Sequence, residues 1–408
     1  MPGSRVDERV VARIWEGSSF DREALRLLEL DLVFRGLPSD AGGPDYQEAI
    51  LSTAKGGLLH GDVEFHVRSA DWYRHRHHLD PAYNQVVLHV VWESDGEEIR
   101  RQDGRGVPTL ALRRCVTGFG TAEVGNDHLF AHPCGPSLSA LHGSTLRDRI
   151  EEAGIARLGS RAERFASDFL AISPDQTAYS ALMEAMGFAS NREAFRALAE
   201  CVPFGWLMSQ PAGLRAEVLL DAAGLGPPGR IAPPARLKPD VWRLARLRPG
   251  NHPIRRLVAI SVLLERFRPS LADALAQLVL ETQKPRELGR ALTVCVGGVP
   301  VLGQGRADEI VVSVVLPLAS ACQPGRAEPA LLFSRYPSPP STRWTRTMVE
   351  MMRDSGHGFA ARSAVQHQGL HAIYLDHCRY TNRHGCSVCR GVAPGAEDNA
   401  LSSALQAG

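Results

Sequence analysis

The sequence predicts an α+β protein, in which the first part of the chain builds a mixed β-sheet and the rest forms a large, mainly α-helical region. Three observations predict it. His60, Asp62, Glu64, His66 and Arg68 fall at every second position, with Leu59, Val63, Phe65 and Val67 between them, so one strand carries a polar face and an apolar face. The run QVVLHVVW is nearly all apolar and reads as a buried central strand with His89 inside it. From Ser144 onward the apolar period changes from two to about 3.6, the period of a helix. The expected division is therefore a domain over 1–128 and a helical region over 129–408.

In order, VDERVVARIWEG places Val10, Val11, Ile14 and Trp15 on one helical face, with Glu8 and Glu16 beside it, and predicts a first helix. LELDLVFRG reads as a strand. GLPSDAGGPD is a Gly/Pro turn that delivers Asp45 to the next strand, YQEAILST, which forms a hairpin with LLHGDVEFHV. A polar connection through Asp71, His75, His77, His78 and Asp80 leads to VVLHVVWE, and GVPTLALRR is a further edge strand. Everything later reads as helical: the long TLRDRIEEAGIARLGSRAERFASDFLA, then AYSALMEAMGF, NREAFRALAECV, LRAEVLLDAAGLG, IRRLVAISVLLERF, LADALAQLVLE, IVVSVVLPLASAC and TRTMVEMMRDS. GPPGRIAPPARLKPD, with its prolines, is an exposed linker or loop.

Chain length and charge bound the function. With 408 residues the chain buries a sizeable core without needing metal or disulfides to fold, so a metal site here has to be explained by chemistry. A formal net charge of +1 announces no polyanion partner, although a local basic groove remains compatible with it. MPGSRVDERVVARIW lacks the apolar core of a signal peptide and no apolar run reaches the length of a membrane span, which predicts a cytoplasmic protein with no membrane partner. In a reducing cytosol the eight cysteines are expected as thiols or metal ligands.

The combination GGPDY, GDVEFHV, SADW, HRHHLDPAYN and VVLHVVW, followed by PCGPSL, RLGSRAERF, GFASNREAF, RLRPGNHPIRRL and a terminal cysteine cluster, resembles an uncharacterised bacterial family of unknown function over almost the full chain. That resemblance brings no activity with it. Pro44-Asp45 followed by Glu64-Phe65-His66 is similar to the PD-(D/E)XK pattern of the restriction-endonuclease-like phosphodiesterases. The resemblance implies a restriction-endonuclease-like sheet and a metal-dependent nuclease acting on nucleic acid. Two carboxylates on adjacent strands hold a divalent cation, Mg2+ or Mn2+, and a basic residue two positions on shares the strand face and orients or activates water. Asp45 and Glu64 are then the metal ligands, and His66 stands where the superfamily usually has Lys. A helix acid often completes such sites, with Glu8 the best match by position and Glu16 the second.

Other readings stay open. Asp62, Glu64, His66 and Arg68 also suit an outward ladder of cross-strand charge pairs. Asp71-Trp72 suits a helix cap and a core aromatic. His75, His77 and His78 read as solvated on a polar segment, and His89 as a core histidine unless it faces His66 across the sheet. A zinc-type hydrolase would gather His66, His75, His77 or His89 with Glu64 or Asp71, although no standard zinc spacing is present. A non-catalytic nucleic-acid-binding or scaffold protein would use Arg157, Arg161, Arg164, Arg243, Arg246, Arg248, Arg255 and Arg256, which serve equally as helix caps or ion-pair partners.

Cys378, Cys386 and Cys389 form C-x7-C-x2-C, and a close Cys-x2-Cys pair is the usual knuckle of a tetrahedral metal. The fourth ligand is Cys134 in HPCGP or one of His371, His377 and His384, with Zn2+ or an iron–sulfur cluster as the group held. Cys115, Cys201, Cys295 and Cys322 lie in apolar runs and read as ordinary buried small residues.

Overall fold

The protein is described here by a computed structural model, which covers residues 6–17, 20–39, 43–116, 134–188, 190–244, 247, 249–378, 386 and 388. The chain forms two compact units. One comprises Met1–Gly143, Val349–Phe359 and Asp376–Gly408, and the other Ser144–Met348 and Ala360–Leu375. Where the change of period marks one boundary near 128, compactness returns two later segments to the first unit.

In the first unit, helix α1 (Glu8–Gly17) and the short α2 (Glu23–Arg26) precede strands β1 (Leu30–Phe34), β2 (Leu37–Pro38), β3 (Tyr46–Thr53), β4 (Leu58–Arg68) and β5 (Val86–Glu93). The pairs β6 (Ile99–Arg100) with β7 (Gly106–Val107) and β8 (Thr109–Ala111) follow. The main sheet runs β1-β3-β4-β5-β8, with β2 alongside β3. It is mixed: β1, β3 and β4 are antiparallel neighbours, whereas β4, β5 and β8 run parallel. The tight turn after Thr53 makes the β3–β4 hairpin, with the Thr53 N–H donating to the Gly57 carbonyl. A parallel pair needs a crossover, and residues 69–85 supply it. Most of that crossover is not a long helix. It is α3 (Asp71–Arg74) followed by two 3₁₀ turns, His77–Leu79 and Pro81–Tyr83.

Both faces of β4 are buried over Val63–His66, while its ends, Leu58–His60 and Arg68, are exposed. Val63 and Phe65 point into a core with Val11, Ile14 and Trp15 of α1 and with Leu88, Val90 and Trp92 of β5. The Trp15 and Phe65 rings lie 6.3 Å apart. The opposite side of the strand carries Glu64 and His66, 5% and 1% exposed, so the expected alternation is real but its polar face is covered. Under the crossover Trp72, Tyr83, Val86, Ile99 and Val107 make a small second core, and the Trp72 indole N–H donates to the Arg100 carbonyl at 3.0 Å.

The second unit is a helical array around its own core. Helix α5 (Gly143–Ala171), introduced after the short α4 (Gly135–Ser139), packs so closely against the helix Ala364–Asp376 that Gly154 and Gly369 leave no room for a Cβ. The run IVVSVVLPLASAC is helical, as its period predicts, but its middle, Val311–Val315, widens into a π turn before Pro317. Pro317 brings no N–H to the Ser313 carbonyl, and Arg161 donates to that carbonyl in its place. Arg161 is thus a helix-capping group. Arg157 donates to Gln368 at 2.9 Å, and Arg256 is buried; Arg246 and Arg248 lie outside the described residues. The expectation that everything after Ser144 is helical needs one correction. Val294–Val296 and Val299–Leu302 form an antiparallel hairpin across Gly297-Gly298, both at positive φ, a turn that two adjacent glycines favour.

Candidate metal site on the covered face of the sheet

The site is assembled by three elements. Asp45 opens β3, Glu64 and His66 lie two residues apart on β4, and the crossover brings in His75 and His77. Parallel pairing sets Glu64 beside His89 of β5. The Asp45 N–H donates to Glu64 Oε2 at 2.9 Å, and the Asp45 carboxylate accepts from the Phe65 N–H at 3.2 Å, so the two acids brace the β3–β4 junction. A bulge follows at once, where Glu48 takes a left-handed φ of 60° and the register slips between Tyr46 and Ala49.

The histidines form a line. His66 Nδ1 lies 2.8 Å from His89 Nε2, and His66 Nε2 lies 3.0 Å from His75 Nδ1. His77 Nε2 is 3.3 Å from Glu64 Oε1, and His66 Nε2 is 3.8 Å from the same oxygen. One donor atom from each of His66, His75 and His77 falls within 4.8 Å of the others. Between His75 and His77 the backbone at Arg76 is left-handed, φ 63°, a costly conformation for a side chain without special reason to adopt it. That reversal lets two histidines separated by one residue converge on a third. His78 is turned elsewhere, its ring 5.0 Å from that of Tyr73.

Burial and like charge set the electrostatics. Burial pushes the Glu64 carboxyl well above its ordinary range, the Asp45 charge raises it further, and Glu8 adds to the same effect. Burial drives His66 down to about 2 and His89 to about 3, with neighbouring histidines reinforcing both. His66 and His89 are therefore neutral, and the Glu64–His66 contact is not an ion pair. Each ring then has one N–H and one lone pair, so the line has a direction. Glu8 is raised first by burial, lowered by His75 and raised by Asp45 and Asp71, which places its charge among these groups.

Of the residues expected from the sequence, Asp45, Glu64, His66 and Glu8 are brought into one electrostatic cluster. Glu16 is not part of it, since its carboxylate accepts from the Tyr46 hydroxyl and its carbonyl from Arg35. Asp71 accepts from the Arg68 N–H at 3.1 Å and pairs with Arg74 at 2.9 Å, a local brace of the crossover. The outward charge ladder does not form, because Glu64 and His66 are buried, although Asp62 is half-buried and Arg68 exposed. The expectation that His77 is solvated is corrected: it is 5% exposed and its ring lies against that of Tyr83, centroids 3.9 Å apart and tilted by 34°. The sequence signal was the H-x-H pair after a strand histidine; the αL turn that makes it converge leaves no mark in composition. His89 does stand beside His66.

The cysteines divide in two groups. Cys134, Cys378 and Cys386 are 4%, 4% and 1% exposed, and the Cys378 thiol is in hydrogen-bond contact with those of Cys134 and Cys386. Cys389 and His384 lie outside the described residues. Of the four read as ordinary buried residues, Cys115, Cys201 and Cys322 are half-buried, but Cys295 is exposed on the late hairpin.

No helix among the described residues is long and apolar enough to cross a membrane. No curated protein and no solved structure matches the chain. One family model does, over residues 8–225, a stretch that contains Glu8, Asp45, Glu64, every histidine of the cluster and Cys134. Since that match covers more than half of the 408 residues, the chain belongs to the family described as Protein of unknown function (DUF2851).

Proposed function

We propose that the protein is a metal-dependent hydrolase of phosphodiester bonds in nucleic acid, with its cation held by Glu64, His66, His75 and His77 and with Asp45 and Glu8 forming an anionic edge. The observation that carries this reading is donor spacing. Two ligands about 2.0–2.2 Å from a tetrahedral ion stand roughly 3.3–3.6 Å apart. The contacts of 3.0, 3.3 and 3.8 Å among His66, His75, His77 and Glu64 bracket that value. The chemistry of the donors fits as well. The neutral His66 imidazole offers a lone pair, and a buried carboxyl crowded by like charge gains most from a cation.

The bound ion would supply an activated water and polarise a phosphoryl oxygen. The residues do the rest. His89, held to His66 Nδ1, accepts that ring's N–H and leaves Nε2 to face the ion. Asp45 fixes Glu64 through its own N–H while its carboxylate stays bonded to β4. The phosphodiester class rests on the placement of Asp45 and Glu64 on adjacent strands with a helix acid nearby, which is the arrangement of the motif they resemble. Imidazole-rich ligation favours Zn2+ over Mg2+ or Mn2+.

The test is hydrolysis of single- and double-stranded DNA and RNA, and of a bis-aryl phosphodiester, with Mn2+, Zn2+ or Mg2+ added to chelator-treated protein. Asp45→Ala, Glu64→Ala and His77→Ala should each lower turnover at least about 100-fold with the fold intact. Wild type inert on every diester, or variants as active as wild type, would refute the assignment. Cleavage of a carboxylic ester but no phosphodiester would keep the metal hydrolase and replace its substrate, and salt-dependent nucleic-acid binding without turnover would favour a non-catalytic binding protein.

A further inference from the structure

We propose that Cys134, Cys378 and Cys386 hold a second, thiolate-bound metal centre, structural in role, that fastens the late part of the chain to the α/β unit. Cys134 is remote in sequence from Cys378 and Cys386, but all three belong to the same compact unit. All three are buried, and none is in a disulfide. The Cys378 thiol touches both of the others.

A convergence of this kind asks for a reason that packing does not give. A thiol is a weak hydrogen-bond donor and acceptor, so thiol–thiol contacts repay little of the cost of ordering three side chains around one point. Three cysteines also cannot all be satisfied by a disulfide. A soft divalent ion or an iron–sulfur cluster is satisfied by three or four thiolates at one point, and each thiol gives its proton to solvent as the metal binds.

The surroundings suit such a staple. Buried Arg35 donates through Nη2 to the Cys378 carbonyl at 3.4 Å and through Nη1 to the Glu16 carbonyl, so the backbone that carries Cys378 is tied to the end of α1. His377, next in sequence, has a buried Nδ1 with no hydrogen-bond partner, which makes it one candidate for the fourth ligand. This centre is independent of the histidine site: it shares no residue with it, and one can fail without the other.

The experiment uses the full chain purified anaerobically without chelator. Zinc, iron and acid-labile sulfide are measured together with the visible absorption spectrum. About one zinc per chain in colourless protein, or iron with sulfide in brown protein, is expected, the first result indicating a single ion and the second a cluster. In either case this metal should be lost in Cys378→Ser and in Cys386→Ser and kept in Cys295→Ser, a thiol exposed on the late hairpin and outside both sites. Loss of the metal should lower the melting temperature by on the order of 5–10 °C, because ligands that converge only in the folded chain convert binding into folding free energy. Should the serine variants fail to fold, wild-type protein titrated with an organomercurial should release its metal in step with modification of these thiols. Metal retained after that modification or in a folded Cys378→Ser variant, or sub-stoichiometric metal of every kind in wild type, overturns the proposal.

Discussion

Replacing Glu64 by Gln should stabilise the metal-free protein and destabilise the metal-loaded protein relative to wild type. Glu64 is 5% exposed, and burial together with the charges of Asp45 and Glu8 raises its carboxyl well above the ordinary range. The sign follows from linkage. A carboxyl whose folded pKa is raised binds its proton more tightly in the folded state, so stability is highest below the unfolded value of 4.5 and falls as pH rises towards the folded value, then stays low. Glutamine carries no such penalty. It keeps an oxygen to accept from the Asp45 N–H and gains an N–H to offer to the imidazole nitrogens 3.3 and 3.8 Å away. Against the several kcal/mol that an unneutralised buried ion costs, a return of about 1–3 kcal/mol at pH 8 is expected, since the amide is itself a polar group to be buried. With metal at about 1,000 times its dissociation constant, wild type gains about 4.1 kcal/mol, more than the whole advantage of Gln, whereas a variant short of one anionic ligand gains much less. The order of stabilities therefore inverts. Urea denaturation of both proteins at pH 5 and pH 8, in chelator and in Mn2+ or Zn2+, measures all the quantities. If Gln is no more stable than Glu at pH 8 in chelator, or if metal raises both proteins equally, the reading of Glu64 as a strained metal ligand is wrong.

Other consequences are testable in the helical unit. Gly154→Ala and Gly369→Ala should each cost about 1–3 kcal/mol or more, because a Cβ at either position overlaps a carbonyl of the partner helix, that of Val365 or of Ile150. On the same helix as Gly154, Gly159 meets nothing within 4 Å, and Gly159→Ala should instead stabilise by roughly 0.5–1 kcal/mol, so equal effects at 154 and 159 would contradict the close approach. His367 and His371 are lowered to about 4 and about 3, mainly by burial. The unfolded chain then takes up protons near pH 6.5 that the folded chain refuses, so their contribution is full above that pH and is lost as pH falls towards 4 and 3, at up to about 1.4 kcal/mol per pH unit for each. Urea melts between pH 7 and pH 5 should show a shallower slope for His367→Gln with His371→Gln, and an unchanged slope would remove these two groups from the account.

How the two candidate metal sites differ explains their different visibility. The cysteines advertise themselves by type and by a two-residue spacing, and only their distant partner needed the fold. The histidine site has no such spacing, because its ligands arrive from a strand and from a crossover whose conformation turns on one left-handed residue, Arg76.

By itself the sequence determined the α+β order, the β3–β4 hairpin and the change to helices after Ser144, because these depend on period and on local turn chemistry. It also determined that Glu64 and His66 share one strand and that the turn delivers Asp45 to the start of its neighbour, since strand alternation and a Gly/Pro turn are local properties. The hairpin across Gly297-Gly298 was missed, because the helical periods on either side of it outweigh a turn marked only by two glycines. Only the tertiary structure decided that Glu64 and His66 on the polar face of β4 are covered and not solvated, since what lies over a strand depends on the path of a crossover that carries no strong pattern of its own. That covering turns His77 inward and drives His66 and His89 to the neutral form. The same limit applies to Cys134 and Cys378. Their contact joins residues far apart in sequence, and no local preference encodes a distance that the closing of the whole core sets.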